Sequence, residues 1–335
     1  LTVPATHPIW QNPDWLEQAR RWIHDELAAQ TRSITGPIDQ FHIRPWSTVM
    51  RIPTDQGDVY FKASASVARH DTAVTQTIFR YRPDTIPAVL AIDADRGWLL
   101  LAEGGQRLRE VFKAGRPMSD WSQILADYAN LQIDLAGHVD EFLALGTPDQ
   151  RLVHLPGLYA EILADTQWLL IDQPDGLAAA EYERLVAAAP PVAEMCRQLA
   201  GYAVPESLHH NDLHDGNIFV WNGRYLFFDW GDSSISHPFF CLRTVFVSME
   251  NTFGLTENDP IFDSFGRDYW MCWTQFETET NLAAAFALAQ RLWPLSSAVK
   301  YHTFLNRIED DGFREQFAGA VPGLLQEFLA ANPAF

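Results

Sequence analysis

Residues 209–231 read His209-His210-Asn211-Asp212-Leu213-His214-Asp215-Gly216-Asn217-Ile218-Phe219-Val220-Trp221-Asn222-Gly223-Arg224-Tyr225-Leu226-Phe227-Phe228-Asp229-Trp230-Gly231. The first nine are too polar for a core element and have the composition of a loop. Two short apolar runs follow, separated by Asn222-Gly223, a pair that tolerates the positive φ of a two-residue turn and so signals a β-hairpin. Asp212 stands five residues before Asn217, and Asp229 stands twelve after it. Such spacing folds one loop and one strand end toward a common point, with Asp212 a candidate base and Asn217 and Asp229 candidate ligands of a hard cation.

Upstream of this stretch the pattern is mixed. Trp15, Ala19, Trp22, Ile23 and Leu27 recur at helical intervals behind the possible cap Asn12, which predicts an amphipathic helix over about 14–30. Extended runs at 47–52 and 59–63 flank Thr54-Asp55-Gln56-Gly57 and predict a hairpin. Helical spacing returns over 70–81, and a second hairpin is expected from 88–92 and 98–102. Gly104-Gly105 breaks the pattern, and most of the remainder is helical in periodicity, including 259–276, 283–293 and 323–331. The expected fold is therefore α+β and bilobal: a small N-terminal lobe, 1–103, with an antiparallel sheet, and a larger, mainly helical C-terminal lobe, 104–335. No internal repeat or low-complexity segment is evident.

The full chain has 335 residues, 47% of them hydrophobic, and a formal net charge of −19. That balance disfavours a surface tracking nucleic-acid phosphates, which needs clustered Lys and Arg. No apolar run approaches the ~18 residues of a membrane span. Residues 1–14 lack the basic patch and apolar segment of a signal peptide. Cys196, Cys241 and Cys272 show no paired spacing, so neither a disulfide framework nor a structural zinc site is expected, and a cytoplasmic location fits best.

Phosphoryl transfer needs a carboxylate facing the acceptor hydroxyl, hard oxygen ligands for magnesium, and a lysine on the phosphates. The segment His210 to Asn217, the hairpin and Asp229-Trp230-Gly231-Asp232 closely resemble the signatures of the aminoglycoside phosphotransferase and choline kinase superfamily, which shares the protein-kinase-like fold. The resemblance implies an ATP- and Mg2+-dependent kinase acting on a small hydroxylated acceptor, cationic ones included, as a monomer or homodimer. It assigns Asp212 as catalytic base, Asn217 and Asp229 as magnesium ligands and His210 as a loop brace, and lets His214 contact the transferred group. Lys62, the only lysine before Arg109, takes the place of the phosphate-gripping lysine, with Asp71 where its glutamate partner is usual. It would meet the catalytic residues across the cleft.

Besides Asp71, one feature departs from the family. The segment Pro45-Trp46-Ser47-Thr48-Val49 lacks the glycines of a phosphate-covering loop, leaving the hydroxyls of Ser47 and Thr48 as substitutes. Leu100-Leu101-Ala102-Glu103-Gly104 resembles the hinge, where backbone groups around Ala102 and Glu103 would read the adenine edge. Two rival readings are a binuclear metal-dependent hydrolase, from the density of His209, His210, Asp212, His214 and Asp215, and a catalytically inactive kinase-fold binding module. The acceptor is expected from the region from Met249 onward, where aromatics (Trp270, Trp273, Phe276, Tyr301) mix with acids (Asp263, Asp268, Glu277, Glu279, Glu309, Asp310, Asp311). The motifs leave an aminoglycoside, a sugar, an amino sugar and an amino alcohol open, and these side chains are as readily helix core and solvated face.

Overall fold

The computed structural model describes residues 8–257 and 259–335, so the N-terminal segment 1–7, including His7, lies outside it. The chain divides into two compact units. The first comprises the described residues up to Arg107 with Ile218–Gly231 and Arg307–Glu315; the second takes Leu108–Asn217, Asp232–Asn306 and Gln316–Phe335.

The first unit is built on a five-stranded antiparallel sheet: β1 (Asp39–Ile43), β2 (Ser47–Thr54), β3 (Gly57–Ser64), β4 (Val89–Asp93) and β5 (Trp98–Ala102), in the order β1-β2-β3-β5-β4. Strand alternation puts Val59, Phe61 and Ala63 of β3 fully inside and leaves Lys62 on the other face. Helix α1 (Pro13–Ala29) lays Ala19, Ile23 and Leu27 against Met50, Ile52, Phe61, Trp98 and Leu100. Its expected cap is present, for Asn12 Oδ1 accepts from Asp14 N–H at 2.9 Å. Helix α2 spans His70–Tyr81, the range the spacing predicts. Strand β1 was not anticipated, because an edge strand with only partial burial carries no clean alternation.

The hairpin Ile218–Trp221/Arg224–Phe227 belongs to this unit, pairing with Gln106–Arg107 and donating from Phe227 N–H to Thr85 O at 2.8 Å. Gly104 and Gly105 are required by that packing. A Cβ on Gly104 would lie 2.5 Å from the Phe219 ring, and one on Gly105, whose φ is +93°, would lie 2.3 Å from Val220 O.

The second unit is mainly helical. Helices α3 (Leu108–Lys113) and α4 (Asp120–Leu135) lead into it, and Leu242–Phe253 follows the short antiparallel pair Ser207–His209/Ser234–Ser236. The segment expected to stop near Trp293 instead forms one helix, Glu279–Arg307, running through Pro294. Proline removes one helical N–H, but Leu292, Leu295 and Ala298 are fully buried around it, and their packing outweighs that loss. No described helix is long and apolar enough to cross a membrane.

Candidate active site

The site residues fall into two groups, one in each unit. In the first unit, Lys62 Nζ lies 2.7 Å from Asp71 Oδ2 and also contacts Asp229 Oδ1. Burial opposes the ammonium charge, yet Asp229 and Asp71 together hold the Lys62 pKa above the ordinary lysine range. Asp71 itself is 1% exposed and fully engaged. Its oxygens accept from Trp230 N–H at 3.0 Å, and from the Ser64 and Thr75 hydroxyls at 3.3 Å each. One carboxylate thus ties β3, α2 and the Asp229-Trp230-Gly231 turn together.

That turn is shaped by its neighbours. Asp229 has φ +69°, a left-handed conformation that aspartate tolerates better than most residues. Phe228 stacks on Phe219 with ring centroids 4.0 Å apart, and a Cβ on Gly231 would come within 3.3 Å of Ala68 Cβ. The Asp229 side chain remains 47% exposed, so its carboxylate can still reach a ligand.

The structure places the expected nucleotide contacts less favourably. Ser47 is buried and opens β2 opposite Ser64, while the Thr48 hydroxyl donates to His42 O at 2.8 Å. Thr48 therefore acts inside the sheet and is not a substitute for loop glycines. Ala102 N–H donates to Ala88 O at 2.9 Å and Glu103 N–H to Asp58 O at 3.2 Å. What these two positions retain for a base is carbonyl oxygen, not a donor.

In the second unit the loop 210–217 is braced from several sides. His210 N–H donates to the Tyr128 hydroxyl at 3.0 Å, and His210 Nδ1 accepts from Asp212 N–H at 3.3 Å. Asn211, at φ +62°, donates from Nδ2 to Asp232 O at 2.9 Å and to Ser234 Oγ at 2.8 Å. Asn217 Nδ2 donates to Asp212 O and to Asp212 Oδ2, both at 3.0 Å. The amide nitrogen is thereby fixed, and Oδ1 is the atom Asn217 can offer a hard cation.

His214 is held in one tautomer. Its Nδ1 accepts from Gly216 N–H at 2.9 Å, with Arg109 Nη2 at 3.3 Å, so the ring proton sits on Nε2, 3.5 Å from Asp212 Oδ2. Behind the ring, buried Asp215 accepts from Arg109 Nε at 2.8 Å and from the Thr252 hydroxyl at 2.7 Å. A Cβ on Gly216 would meet the His214 ring at 2.6 Å. Burial pushes the Asp212 carboxyl up, but the His214 hydrogen bond and the Lys300 charge outweigh it and hold the group below the usual range.

Two members of this group went unnoticed in the sequence. Lys300 Nζ donates to Asn211 O at 3.1 Å, placing a cation beside the loop. It is one of only three lysines in the chain, set in the apolar run Ala298-Val299-Lys300-Tyr301, and that isolation was the available signal. Arg109 carried none, since its partners lie 105 and 106 positions away. Among the described residues, no three His, Cys, Asp or Glu side chains converge as a binuclear centre would require. Trp273 is core and Asp268 accepts from the Ser122 hydroxyl, the bland alternatives for those residues.

A model of the family described as "Phosphotransferase enzyme family" matches residues 86–293. The chain belongs to this family. It is a phosphotransferase, and the matched span takes in both Asp212 and Asp229. No curated protein matches it by sequence. Among solved structures it is similar to a choline/ethanolamine kinase family protein from Mesorhizobium loti, at 17% identity, 89% coverage of both chains and a TM-score of 0.57. It is also similar to aminoglycoside 2'-phosphotransferase-IIIa in its GDP complex, at 18% identity, 90% and 94% coverage and a TM-score of 0.56. Choline kinase LicA from Streptococcus pneumoniae matches at 12% identity over 94% of this chain and 99% of its own, with a TM-score of 0.56. At these identities the likeness is one of fold, and that fold is kinase-like.

Proposed function

We propose that this family member transfers the γ-phosphate of Mg-ATP to a hydroxyl of a small molecule of the sugar, amino sugar, aminoglycoside or amino alcohol type. The observation that carries the reading is the fixed pair Asn217–Asp212. The Asn217 amide holds both the backbone and the carboxylate of Asp212 at 3.0 Å, which orients one free carboxylate oxygen for an incoming hydroxyl. Asp212 then takes the hydroxyl proton as the acceptor oxygen bonds to the γ-phosphorus and the bond to the β,γ-bridging oxygen breaks, leaving ADP. The depressed carboxyl keeps Asp212 ionised at neutral pH.

The donor set suits magnesium: Asn217 Oδ1 and the half-exposed Asp229 carboxylate are hard oxygens. Each, in its own unit, is a candidate ligand, and the ion would supply neutralisation of phosphate charge. Lys62, kept charged by Asp71 and Asp229, is assigned to the phosphate oxygens, and His214 Nε2–H to the transferred group. Ser47, Ala102 and Glu103 remain candidate nucleotide contacts, the last two through carbonyl oxygens. Three free thiols suit a reducing, cytoplasmic setting, and a monomer or homodimer would suffice.

The test is ADP release with Mg-ATP across a panel of such acceptors, with the phosphorylated product confirmed. Asp212→Asn is expected to keep Mg-ATP binding while lowering transfer about 10²- to 10⁴-fold. Asp229→Ala is expected to lose magnesium-dependent nucleotide binding. Undiminished transfer by Asp212→Asn would overturn the base assignment.

A further inference from the structure

Asp212 and His214 open onto a cavity of about 420 Å³ in the second unit, lined also by Arg109, Lys113, Ser248 and Thr252. Its volume is that of a small-molecule site, and it holds the carboxylate assigned to the hydroxyl. What sets it apart is charge. The whole chain carries 43 acidic against 24 basic residues and only three lysines, yet this wall presents two cations and a single carboxylate, Asp212 itself.

Arg109 and Lys113 stand four apart on α3, so they share one face of the helix. Arg109 is pre-organised: Asp215, 1% exposed behind it, takes its Nε and Nη2, and the Arg109 side chain stays 45% exposed. Asp215 offsets the formal charge of Arg109, but Arg109 and the Thr252 hydroxyl engage both its oxygens. Among the described residues Lys113 is paired only with Glu110, at 3.1 Å, both side chains more than 60% exposed. Such a surface pair contributes little and exchanges readily for a better partner. An ammonium group in this cavity would meet like charge from Arg109 and Lys113, whereas an anionic group would find the Nη1 hydrogens of a guanidinium held in place by Asp215, and a mobile ammonium.

We propose that the acceptor is a small polyhydroxylated molecule bearing an anionic group, carboxylate or phosphate, held by Arg109 and Lys113 while its hydroxyl faces Asp212. The proposal rests on the transfer reading above and narrows its acceptor class away from aminoglycosides and amino alcohols.

The test uses the full chain with Mg2+ and a non-hydrolysable ATP analogue, titrated calorimetrically with gluconate, glucose 6-phosphate, glucose and glucosamine, and in parallel measures ADP release from Mg-ATP with each. At least one anionic sugar is expected to bind tenfold or more tightly than glucose, and the two anionic arms tell carboxylate from phosphate. Lys113→Glu, checked for unaltered thermal melting, is expected to remove that preference. Should neither anionic sugar exceed glucose, absence of binding across the set included, or should glucosamine bind best, the proposal is overturned. Selective anion binding without ADP release would instead count against the transfer reading while sustaining the charge class.

Discussion

Lys62 Nζ and Asp71 Oδ2 lie 2.7 Å apart, a contact made by a side chain one methylene shorter than the glutamate usual in this family. The short reach is matched by the position of Asp71 in the first turn of α2, where it also receives Trp230 N–H. Asp71→Glu, a conservative change by chemistry, is therefore expected to be costly. The extra methylene has no space at a 1% exposed position, and overpacking of this kind costs about 1–3 kcal/mol. Denaturant unfolding checks it: stability equal to the parent chain would mean that α2 can shift and that the tight fit is unimportant.

Lys300 is expected to act as a positioning residue. It holds Asn211 O, one residue before Asp212, in a loop whose backbone is already left-handed at Asn211. Lys300→Met keeps the length and loses the charge and the donor. We expect kcat to fall about 10- to 100-fold, since small displacements of a catalytic group carry penalties of that size, with KM for ATP nearly constant. A rise in KM for ATP at constant kcat would show that Lys300 serves the nucleotide instead.

Gly216→Ala separates activity from stability in the same loop. The added methyl meets the far edge of the His214 ring at 2.6 Å, a side chain that can swing away, so the stability change should stay within about 1 kcal/mol. Swinging the ring breaks its contacts with Gly216 N–H and Arg109, and transfer should fall by tenfold or more. Full activity in the alanine variant would remove His214 from the catalytic group.

Acid sensitivity follows from two histidines outside the catalytic group. Burial pushes His209 down to about 3, helped by the charges of His210 and Lys300, and burial alone does the same to His237. Each has a native pKa below its unfolded value of 6.5, so below that pH the unfolded chain binds protons that the native chain refuses. Stability contributed by the neutral rings is thus complete above pH 6.5 and is lost as pH falls toward 3. Together they should give a slope of about 3 kcal/mol per pH unit through the middle of that window. Guanidinium melts at pH 6 and pH 4.5 measure it, and equal midpoints would sink the argument.

Much of this site was legible because it is local. Asp212, His214 and Asn217 lie within six consecutive positions, and the Asn222-Gly223 turn fixes the distance along the chain to Asp229. The hairpins and α2 were legible for the same reason, since alternation and helical spacing are properties of neighbouring residues. Strand β1 was hidden because an edge strand need bury little, and the helix through Pro294 because packing overrode a local break signal.

The sequence by itself determined the α+β pattern, the polar loop 209–217 with its hairpin, and Lys62 as the one lysine available before Arg109. Only the tertiary structure decided that Asp71 is the partner of Lys62, that Thr48 is tied into the sheet, and that Arg109, Lys113 and Lys300 gather near Asp212. The reason is separation along the chain. Asp71 meets Trp230 across 159 positions and Asn211 meets Lys300 across 89, and no periodicity or motif encodes contacts that exist only once the cores have packed.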